Sequence, residues 1–584
     1  MLENVPVDLL SKIGMAINSR MLYNGWRYMP GNFINCEQVD FSERDFYFSA
    51  VLSDVTNKDK YHHVGHVKLD INNCIRVPLT MTINGREYKA LMDVRTFRRG
   101  DNEYSISDLE NVIIYSKYVK VIGQAIFDII TDKKDFSFAL QQVNRDNYTK
   151  NLAELKKKGI KVKRILFINL RSHYVERMEP LYAAKKLGVE VVLLADIKPQ
   201  IDDGYISEDN FIITDTYDMA NALQKVIEFA KDKPIDGVLT WSDRDVELVS
   251  LIAEKLDIPA PNIEASKNAR NKFLMRKAIS EENPELCPKF LRVTNLSEFK
   301  EAVDVIGTPG VLKPVGASGS KTIVKIYSET NLESIFERVR SETRISRDKV
   351  YKYFPDEYIY EELLSGDEMS VEGFVSSVTG EVVIAGMTDK YVTDEYSTEY
   401  KEIEPSQKSP KFLKLYSEKV KSAVKSLGLT ACAFHAEVKV VGETLKVIEI
   451  AARPGGGFIT THLVKLASGV SFIEETIKNA LNQPIDKKIL FESWSQSPKY
   501  VVGQEDFMSE KEGEVSRVGG LPEIFEDSNV RLFIPLKEVG DEVILPPKNY
   551  GSLYTGRIIV AASNIKEVEK SLLRAKNKYR FEVK

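Results

Sequence analysis

The chain has 584 residues, of which 43% are hydrophobic and 29% are charged, a composition typical of soluble globular proteins. Its formal net charge of −5 lacks the basic excess of a general nucleic-acid binder, and no segment approaches the roughly 20 apolar residues that cross a bilayer. The length predicts about four domains. Glu3 and Asp8 interrupt the first apolar run, so no signal peptide is predicted, and four separated cysteines indicate reduced thiols in the cytoplasm.

Residues 1–150 mix short strand-like runs with turn signals such as Asn84-Gly85, which predicts a mixed or mainly β module. Its role stays open, with binding of a substrate, a carrier protein or a second subunit as candidates. Three histidines lie close together here, namely His62, His63 and His66. On a strand the first two would point to opposite faces, so solvated side chains are favoured over a zinc site.

Residues 151–266 are predicted to form an α/β domain. Short apolar runs, the first being Ile165 to Leu170, alternate with helical segments, as in a buried parallel sheet. The turn after that run, Asn169 to His173, lacks the G-x-G-x-x-G fingerprint, so a dinucleotide role is not predicted. Two further domains are expected, residues 267–485 with nearly all the chemically suggestive motifs and a strand-rich lobe over 486–584.

The first motif is a Gly/Ser-rich loop between two strand-like runs. An apolar run ends in Lys313, and small residues follow from Gly316 to Ser320, where backbone N–H groups can approach a phosphate without steric clash. The Walker A order is absent and the exit is β-branched, which predicts a strand–loop–strand phosphate flap. An ordinary hairpin is the alternative when the motif is read alone.

The second motif is an acidic segment between Tyr360 and Gly373. Glu361 and Glu362 precede a short apolar stretch, and Glu368 follows in a turn. Because carboxylates accept hydrogen bonds from exocyclic amines and ribose hydroxyls, the segment is a candidate for nucleotide recognition. A solvated acidic edge is the alternative.

The third motif is the strongest and predicts a β-hairpin around Gly442. A three-residue loop, Gly442 to Thr444, would place Glu437 opposite Glu449, and a divalent cation would turn their repulsion into ligation. The apolar face would carry Ala436, Val438, Val440, Ile448 and Ile450, with Lys446 as a misfit, and the polar face His435, Glu437, Lys439 and Glu449. Arg453, before three glycines, could hold a phosphate in bidentate geometry. Surface decoration is the alternative.

In this order the three motifs resemble the ATP-grasp superfamily, over residues from about 164 to the C-terminus. The segments Thr240 to Asp245 and Ala269 to Arg276 are similar to those that lead into its ATP-binding region. L-amino-acid ligases are the nearest look-alikes, with biotin carboxylase and the large subunit of carbamoyl phosphate synthetase more distant. The resemblance implies a multidomain α/β protein in which a Rossmann-like α/β domain precedes the ATP-grasp fold.

The resemblance also implies roles for individual residues. Those expected to bind ATP are Lys272, Lys313, Gly316, Ala317, Ser318, Gly319, Ser320, Glu361, Glu362, Leu364 and Glu368. The expected ligands of Mg²⁺, for which Mn²⁺ can substitute, are Glu437 and Glu449. Catalytic roles fall to Lys313 and Arg453, and substrate contacts to Lys390, His435, Arg453 and Gly456. Many relatives carry Asn where this chain has Ala451, so the metal shell would rely more on water or on a bidentate carboxylate.

The implied activity is ATP-dependent ligation of a small-molecule carboxylate to an amine, amino acids foremost, through an acyl phosphate with release of ADP and phosphate. A biotin-carboxylase-like enzyme that activates bicarbonate is one alternative, although no biotinyl Ala-Met-Lys-Met segment is present. A non-catalytic nucleotide-binding scaffold is the other. Neither nucleic acid nor membrane is a predicted partner, and a homodimer stays open. Selectivity is expected near Ala385 to Lys390, in the following loop to Pro410, and at Thr460 to His462.

Overall fold

The structure is a computed structural model that describes most of the chain after residue 161. Described are residues 162–584 except 173, 200, 202–204, 318–321, 395–397, 520–523, 525–526, 528, 538–539, 547 and 550, together with the strands between Phe33 and Ser105. The chain divides into two compact units, residues 160–200 with 206–502, and residues 1–159 with 201–205 and 503–584. No helix in the described part combines the length and apolar character that crossing a bilayer needs.

The N-terminal residues contain seven described strands. They are β1 (Phe33–Phe41), β2 (Phe46–Asp54), β3 (Asn57–Leu69), β4 (Val77–Ile83), β5 (Arg86–Met92), β6 (Thr96–Arg99) and β7 (Asn102–Ser105). The first three form an antiparallel sheet, and β4 pairs with β5 so that Ile83 faces Arg86. The predicted turn at Asn84-Gly85 lies outside the described residues. His62, His63 and His66 fall in β3, but their side chains lie outside the described residues.

A four-stranded parallel sheet opens the larger unit. Its strands are β8 (Arg164–Ile168), β9 (Glu190–Ala195), β10 (Phe211–Ile213) and β11 (Gly237–Thr240), in the order β10-β9-β8-β11. The helices that alternate with them are Tyr174–Lys186, Met219–Asp232 and Val246–Leu256. The apolar strands are buried, as expected of a parallel sheet covered by helices. Ligand-binding side chains are commonly found where such strands end, and Arg171 and Asp243 follow β8 and β11.

A four-stranded antiparallel sheet follows, after the helices Ile263–Arg270 and Lys272–Glu282. Its strands are β12 (Phe290–Val293), β13 (Gly310–Pro314), β14 (Val324–Ile326) and β15 (Tyr358–Glu362), in the order β12-β15-β13-β14. The helices Leu296–Ile306 and Leu332–Glu342 contribute Phe299 and Phe336, which pack with Tyr358 and Tyr360 in the core. The Gly/Ser-rich loop joins β13 to β14, which pair antiparallel, so the predicted strand–loop–strand arrangement is confirmed.

A second antiparallel sheet carries the third motif. Within the larger unit its strands are β16 (Asp367–Val375), β17 (Val382–Val392), β18 (Glu399–Glu404), β19 (Cys432–Val441) and β20 (Thr444–Ala451), in the order β20-β19-β16-β17-β18. The helices of this part are Pro410–Ser426, Val464–Ser468, Phe472–Ala480 and Phe491–Trp494.

The predicted loop of the β19–β20 hairpin is wrong, although the predicted carboxylate pairing is correct. Val441 pairs with Thr444 rather than with Leu445, so the loop has two residues. A bulge after Glu437 then shifts the register by one residue and restores the pair Glu437–Glu449.

Because of the bulge, the side chains of β20 that face the core differ from those predicted. Leu445 and Val447 are buried in the core, where Ile448 was expected, and Ile448 lines a cavity beside Glu449. Lys446 therefore does not occupy a core position, and its Nζ donates to the Cys287 carbonyl at 2.8 Å.

The C-terminal residues of the smaller unit form two groups of strands. They are β21 (Val501–Met508), β22 (Gly513–Gly519), β23 (Val530–Pro535), β24 (Glu542–Val543), β25 (Tyr554–Ala562) and β26 (Arg580–Val583), with the helix Ile565–Lys578 between the last two. The strand orders are β21-β25-β23 and β24-β22-β26. Phe507, Phe533 and Tyr579 pack with ring centroids 5.1 to 5.7 Å apart, so this part has its own aromatic core.

Candidate functional site

A cavity of about 380 Å³ is lined by both antiparallel sheets of the larger unit, a volume in the range of small-molecule sites. Most of the predicted site residues line it. They are Lys272, Lys313, Ala317, Glu361, Glu362, Leu364, Glu368, His435, Glu437, Glu449 and Arg453. The four predicted ATP-binding or metal-binding segments, which lie far apart in the sequence, are thus brought to one cavity.

Two buried lysines line one wall. Lys272 begins the helix Lys272–Glu282, and its Nζ donates to the Ala317 carbonyl at 2.7 Å and lies 3.1 Å from a Glu449 oxygen. Lys313 lies on β13, and its Nζ is 2.5 Å from an oxygen of Glu361. Burial lowers the pKa of Lys313 despite the nearby carboxylate. Both ammonium groups are held in place at the wall, which suits them to meet phosphate oxygens.

Glu361 is the centre of a buried ion triad. Its second oxygen accepts from Arg276 Nε at 2.7 Å. Burial alone would raise the pKa of this carboxyl, but the charges of Arg276 and Lys313 outweigh burial, and the pKa is lowered. Arg276 also donates to the Ile448 carbonyl at 2.7 Å. Because one Glu361 oxygen pairs with Arg276 and the other with Lys313, the carboxylate fixes the position of Lys313. The predicted contact of Glu361 with adenine stays a prediction.

The start of the Gly/Ser-rich loop packs against an aromatic side chain. A Cβ at Gly316 would overlap the Phe354 ring, and the guanidinium carbon of Arg270 lies 5.5 Å from the centroid of that ring. Arg270 also donates to the Gly316 carbonyl at 3.2 Å. Only a glycine fits the backbone this closely. Ser318, Gly319 and Ser320 lie outside the described residues.

The acidic segment lines the cavity between the two sheets. Glu362 accepts from the Lys289 backbone N–H at 2.9 Å, and Leu364 contributes to the same lining. Glu368 lies on β16 beside Lys439, whose Nζ is 3.1 Å from one of its oxygens. The predicted adenine and ribose contacts of these residues stay predictions.

Glu437 and Glu449 each face a lysine at the cavity. Glu437 is 2.6 Å from Lys390 Nζ, and Glu449 is 3.1 Å from Lys272 Nζ. Burial alone would raise the pKa of Glu437, but Lys390 and His435 hold it well below its usual range. Oxygens of Glu368, Glu399 and Glu437 also lie within 4.8 Å of one another. Such a set of carboxylate oxygens fits a divalent cation.

His435 connects Glu437 to the glycine-rich segment that follows Arg453, residues 454–457. Its Nδ1 lies 2.5 Å from Glu372, and its Nε2 lies 3.3 Å from Glu437. Burial alone would lower the pKa of His435, but Glu372 and Glu437 raise it to about 9, so the ring is a cation at neutral pH. Glu372 also accepts from the Gly455 backbone N–H at 3.2 Å. Ala451 lies opposite His435 on β20.

Arg453 is held by Asp243 in a bidentate ion pair. Its Nε and Nη2 donate to the two Asp243 oxygens at 2.9 and 2.6 Å. Burial alone would raise the pKa of Asp243, but the Arg453 charge lowers it to about 2. Planar bidentate contacts fix a guanidinium in orientation as well as in charge. Arg453 therefore meets the cavity in one defined pose.

A second arginine, whose side chain is 10% exposed, holds the backbone of the glycine-rich segment after Arg453. Arg171 Nη2 donates to the Pro454 and Gly455 carbonyls at 3.1 and 2.7 Å. A Cβ at Gly456 would lie 2.8 Å from Arg171 Nη1, so the guanidinium packs directly on that glycine. The predicted substrate contact of Gly456 stays a prediction.

Four residues that complete this site were not assigned a role from the sequence. They are Arg171, Asp243, Arg276 and Glu372. All four lie in segments that the sequence had marked, but their partners lie up to 284 residues away in the chain. The signal in the sequence for the Asp243–Arg453 pair was an aspartate in a segment before the ATP-binding region together with an arginine ahead of three glycines.

Comparison with protein families agrees with the predicted fold. Residues 306–462 match the ATP-grasp domain, and residues 178–260 match the ATP-grasp N-terminal domain. The chain therefore carries an ATP-grasp domain, and the ATP-grasp fold predicted from the three motifs is confirmed. The Rossmann-like assignment and the four domain boundaries stay predictions.

Several known proteins are similar to this chain. The alanine–anticapsin ligase of Bacillus subtilis (strain 168) is 28% identical over 257 residues, which are 42% of this chain and 54% of that protein. The protein of the same name from Bacillus amyloliquefaciens is 26% identical over the same length. The chain thus spans about half the length of the curated relatives it matches.

Solved structures share the fold. An L-amino acid ligase from Bacillus licheniformis superposes with a TM-score of 0.60 and 20% identity, covering 72% of this chain and 99% of that one. The biotin carboxylase domain of the 2-oxoglutarate carboxylase from Hydrogenobacter thermophilus, solved with MgADP, ADP and bicarbonate, gives 0.53 and 16%, covering 72% and 91%. At these identities the likeness shows the fold alone.

Proposed function

We propose that the chain is an ATP-dependent ligase that joins a carboxylate to an amine through an acyl phosphate. The observation that carries this proposal is the convergence of two buried lysines, two facing carboxylates and a clamped arginine on one cavity. That set provides positive charge for phosphates and anionic ligands for a cation without a protein nucleophile. Phosphoryl transfer needs positioning and charge neutralisation more than covalent catalysis by the protein.

The proposed reaction has two steps, phosphoryl transfer to the carboxylate and acyl transfer to the amine. A substrate carboxylate oxygen attacks the γ-phosphorus of ATP, the bond to the β-phosphate oxygen breaks, and ADP leaves. A neutral amine then attacks the carbonyl carbon of the acyl phosphate, phosphate leaves with its electron pair, and the amine proton passes to the surrounding water. Lys272 and Lys313 hold the ATP phosphates, and Arg453 stabilises the negative charge of the acyl phosphate and of the tetrahedral species.

Glu437 and Glu449 are the residues that would hold Mg²⁺. When bound, the cation offsets the negative charge that builds up on the phosphate oxygens during transfer. The two carboxylates are suited to this because they are neighbours across the hairpin and both line the cavity. Mn²⁺ prefers similar oxygen ligands and is proposed to substitute.

Amino acids are the proposed substrates. The sequence similarity to alanine–anticapsin ligases supports a ligase that uses small amino-acid-like molecules. Lys390, His435 and Gly456 are proposed to contact the carboxylate or the amine. We also propose a cytoplasmic location and a homodimer. The role of residues 1–150 stays open, with a carrier protein or a second subunit as candidate partners.

The direct test supplies the protein with mixtures of amino acids, ATP and Mg²⁺. Mass spectrometry should detect a dipeptide or other amide that depends on ATP, with ADP and phosphate formed in equal amounts. The matched control replaces Arg453 with Met and should lose product. Bicarbonate-dependent ADP release with no amine acceptor would instead favour the biotin-carboxylase-like alternative, and nucleotide binding without any turnover would favour a scaffold.

A further inference from the structure

Lys390 has its ammonium group among three carboxylates. Its Nζ lies 2.5 Å from Glu399, 2.6 Å from Glu437 and 3.7 Å from Glu368. The side chain is only 1% exposed, so its ammonium group meets these carboxylates away from bulk water. The same three carboxylates offer oxygens within 4.8 Å of one another, the spacing at which a single cation can contact all of them.

Two cations cannot use the same Glu437 oxygens at close range. An ammonium and a divalent ion placed together would repel each other, and the low dielectric of a buried site makes that repulsion strong. Glu449 meets the same conflict, because Lys272 lies 3.1 Å from it. The nucleotide offers Lys272 another partner, since phosphate oxygens attract its ammonium group.

We propose that Lys390 is an internal counter-ion that occupies the cation position at Glu437 until nucleotide arrives. Metal entering with ATP displaces the ammonium from Glu437, while Lys272 passes from Glu449 to the phosphates. The free protein therefore binds divalent metal weakly, and metal and nucleotide bind together. The displaced Lys390 ammonium is then available to a substrate carboxylate. This inference rests on the proposed role of Glu437 as a metal ligand.

Other charged groups face the same place. Lys439 lies 3.1 Å from Glu368, and His435 Nε2 lies 3.3 Å from Glu437. Lys390 contacts both Glu399 and Glu437, so it connects these two carboxylates. Removing Lys390 leaves three carboxylates facing one another without their shared cation, and that arrangement favours a divalent metal in its place.

The test titrates Mn²⁺ alone into nucleotide-free protein and measures free Mn²⁺ by electron paramagnetic resonance. Wild type should bind weakly, and Lys390→Met should bind more tightly by roughly tenfold or more, since a competing charge is gone. Lys439→Met is the matched control, because it removes an equal charge from beside Glu368 while leaving Lys390 in place. It should stay close to wild type.

Lys390→Met must be shown to be folded by its circular dichroism spectrum. If it is folded and binds Mn²⁺ no better than wild type, the proposal is wrong. If it does not fold without metal, recovery of folding by Mn²⁺ but not by equal ionic strength of NaCl supports the proposal, and no recovery by Mn²⁺ contradicts it. Tight Mn²⁺ binding by nucleotide-free wild type would also contradict it. Ligase activity is measured in a separate assay. If Mn²⁺ binds as expected but no amide product forms, the ligase proposal is wrong and the counter-ion proposal stands.

Discussion

Glu437 faces Glu449 across a hairpin whose loop has two residues, because a bulge in β20 moves the register by one residue. Without the bulge, Glu437 would face Ile448, and the two carboxylates would point to opposite sides of the sheet. The bulge turns Ile448 and Glu449 toward the cavity together. A local irregularity thus decides whether a pair of acidic residues can form a cation site.

The carboxylate pair gives the first prediction. Glu449→Gln should lower turnover by roughly 10²-fold or more while changing nucleotide affinity much less, because the cation chiefly stabilises charge that develops during transfer. Steady-state kinetics and equilibrium nucleotide binding measure the two effects. Glu443→Gln is the control, since Glu443 lies in the exposed loop of the same hairpin and pairs with Lys411. Equal losses of turnover and nucleotide affinity in Glu449→Gln would contradict the proposed role.

The Asp243–Arg453 pair gives a prediction about pH. Above pH 3.8 the ionised Asp243 contributes roughly 2 kcal/mol to stability, and this contribution is lost as the pH falls toward about 2, because its folded pKa lies below the unfolded value. Asp243→Asn should therefore be less stable than wild type near pH 6, and the difference should narrow near pH 2.5. Urea unfolding at both values measures this. A difference that does not change with pH would contradict the paired carboxylate.

The same variant tests the positioning of Arg453. Asp243 touches Arg453 and is not proposed to contact substrate, so its loss should lower kcat through a misplaced guanidinium. Asp243→Glu, which keeps the charge, should recover part of the activity. If Asp243→Asn were destabilised yet kept wild-type kcat below its melting temperature, Asp243 would have a structural role only.

Gly316 gives a prediction about the phosphate loop. Gly316→Ala should weaken ATP binding by roughly tenfold, since a Cβ overlaps the Phe354 ring and overpacking costs about 1–3 kcal/mol. Phe354→Ala in the same chain removes the obstacle, so the double variant should bind ATP more tightly than Gly316→Ala. Isothermal titration calorimetry measures all three variants. An additive loss in the double variant would mean that the ring is not what constrains this glycine.

Much of this site follows from the sequence, and the reasons for the remainder are physical. Lys313 is predicted from its place at the end of an apolar run before the Gly/Ser-rich loop, and Glu437 and Glu449 from the register of the predicted hairpin. The bulge in β20 is not predicted from the sequence, because a register shift of one residue depends on which side chains pack in the core. Ion pairs such as Asp243–Arg453, which join residues 210 positions apart, depend on how separate sheets come together.

The most direct test of the acyl phosphate is the fate of a labelled oxygen. A substrate amino acid with ¹⁸O in its carboxylate is incubated with the protein, ATP, Mg²⁺ and an amine acceptor, and the phosphate released is analysed by mass spectrometry. The proposed mechanism predicts that one ¹⁸O moves from the carboxylate to inorganic phosphate, and that the nucleotide product is ADP. Unlabelled phosphate, or ¹⁸O in AMP with release of pyrophosphate, would contradict it.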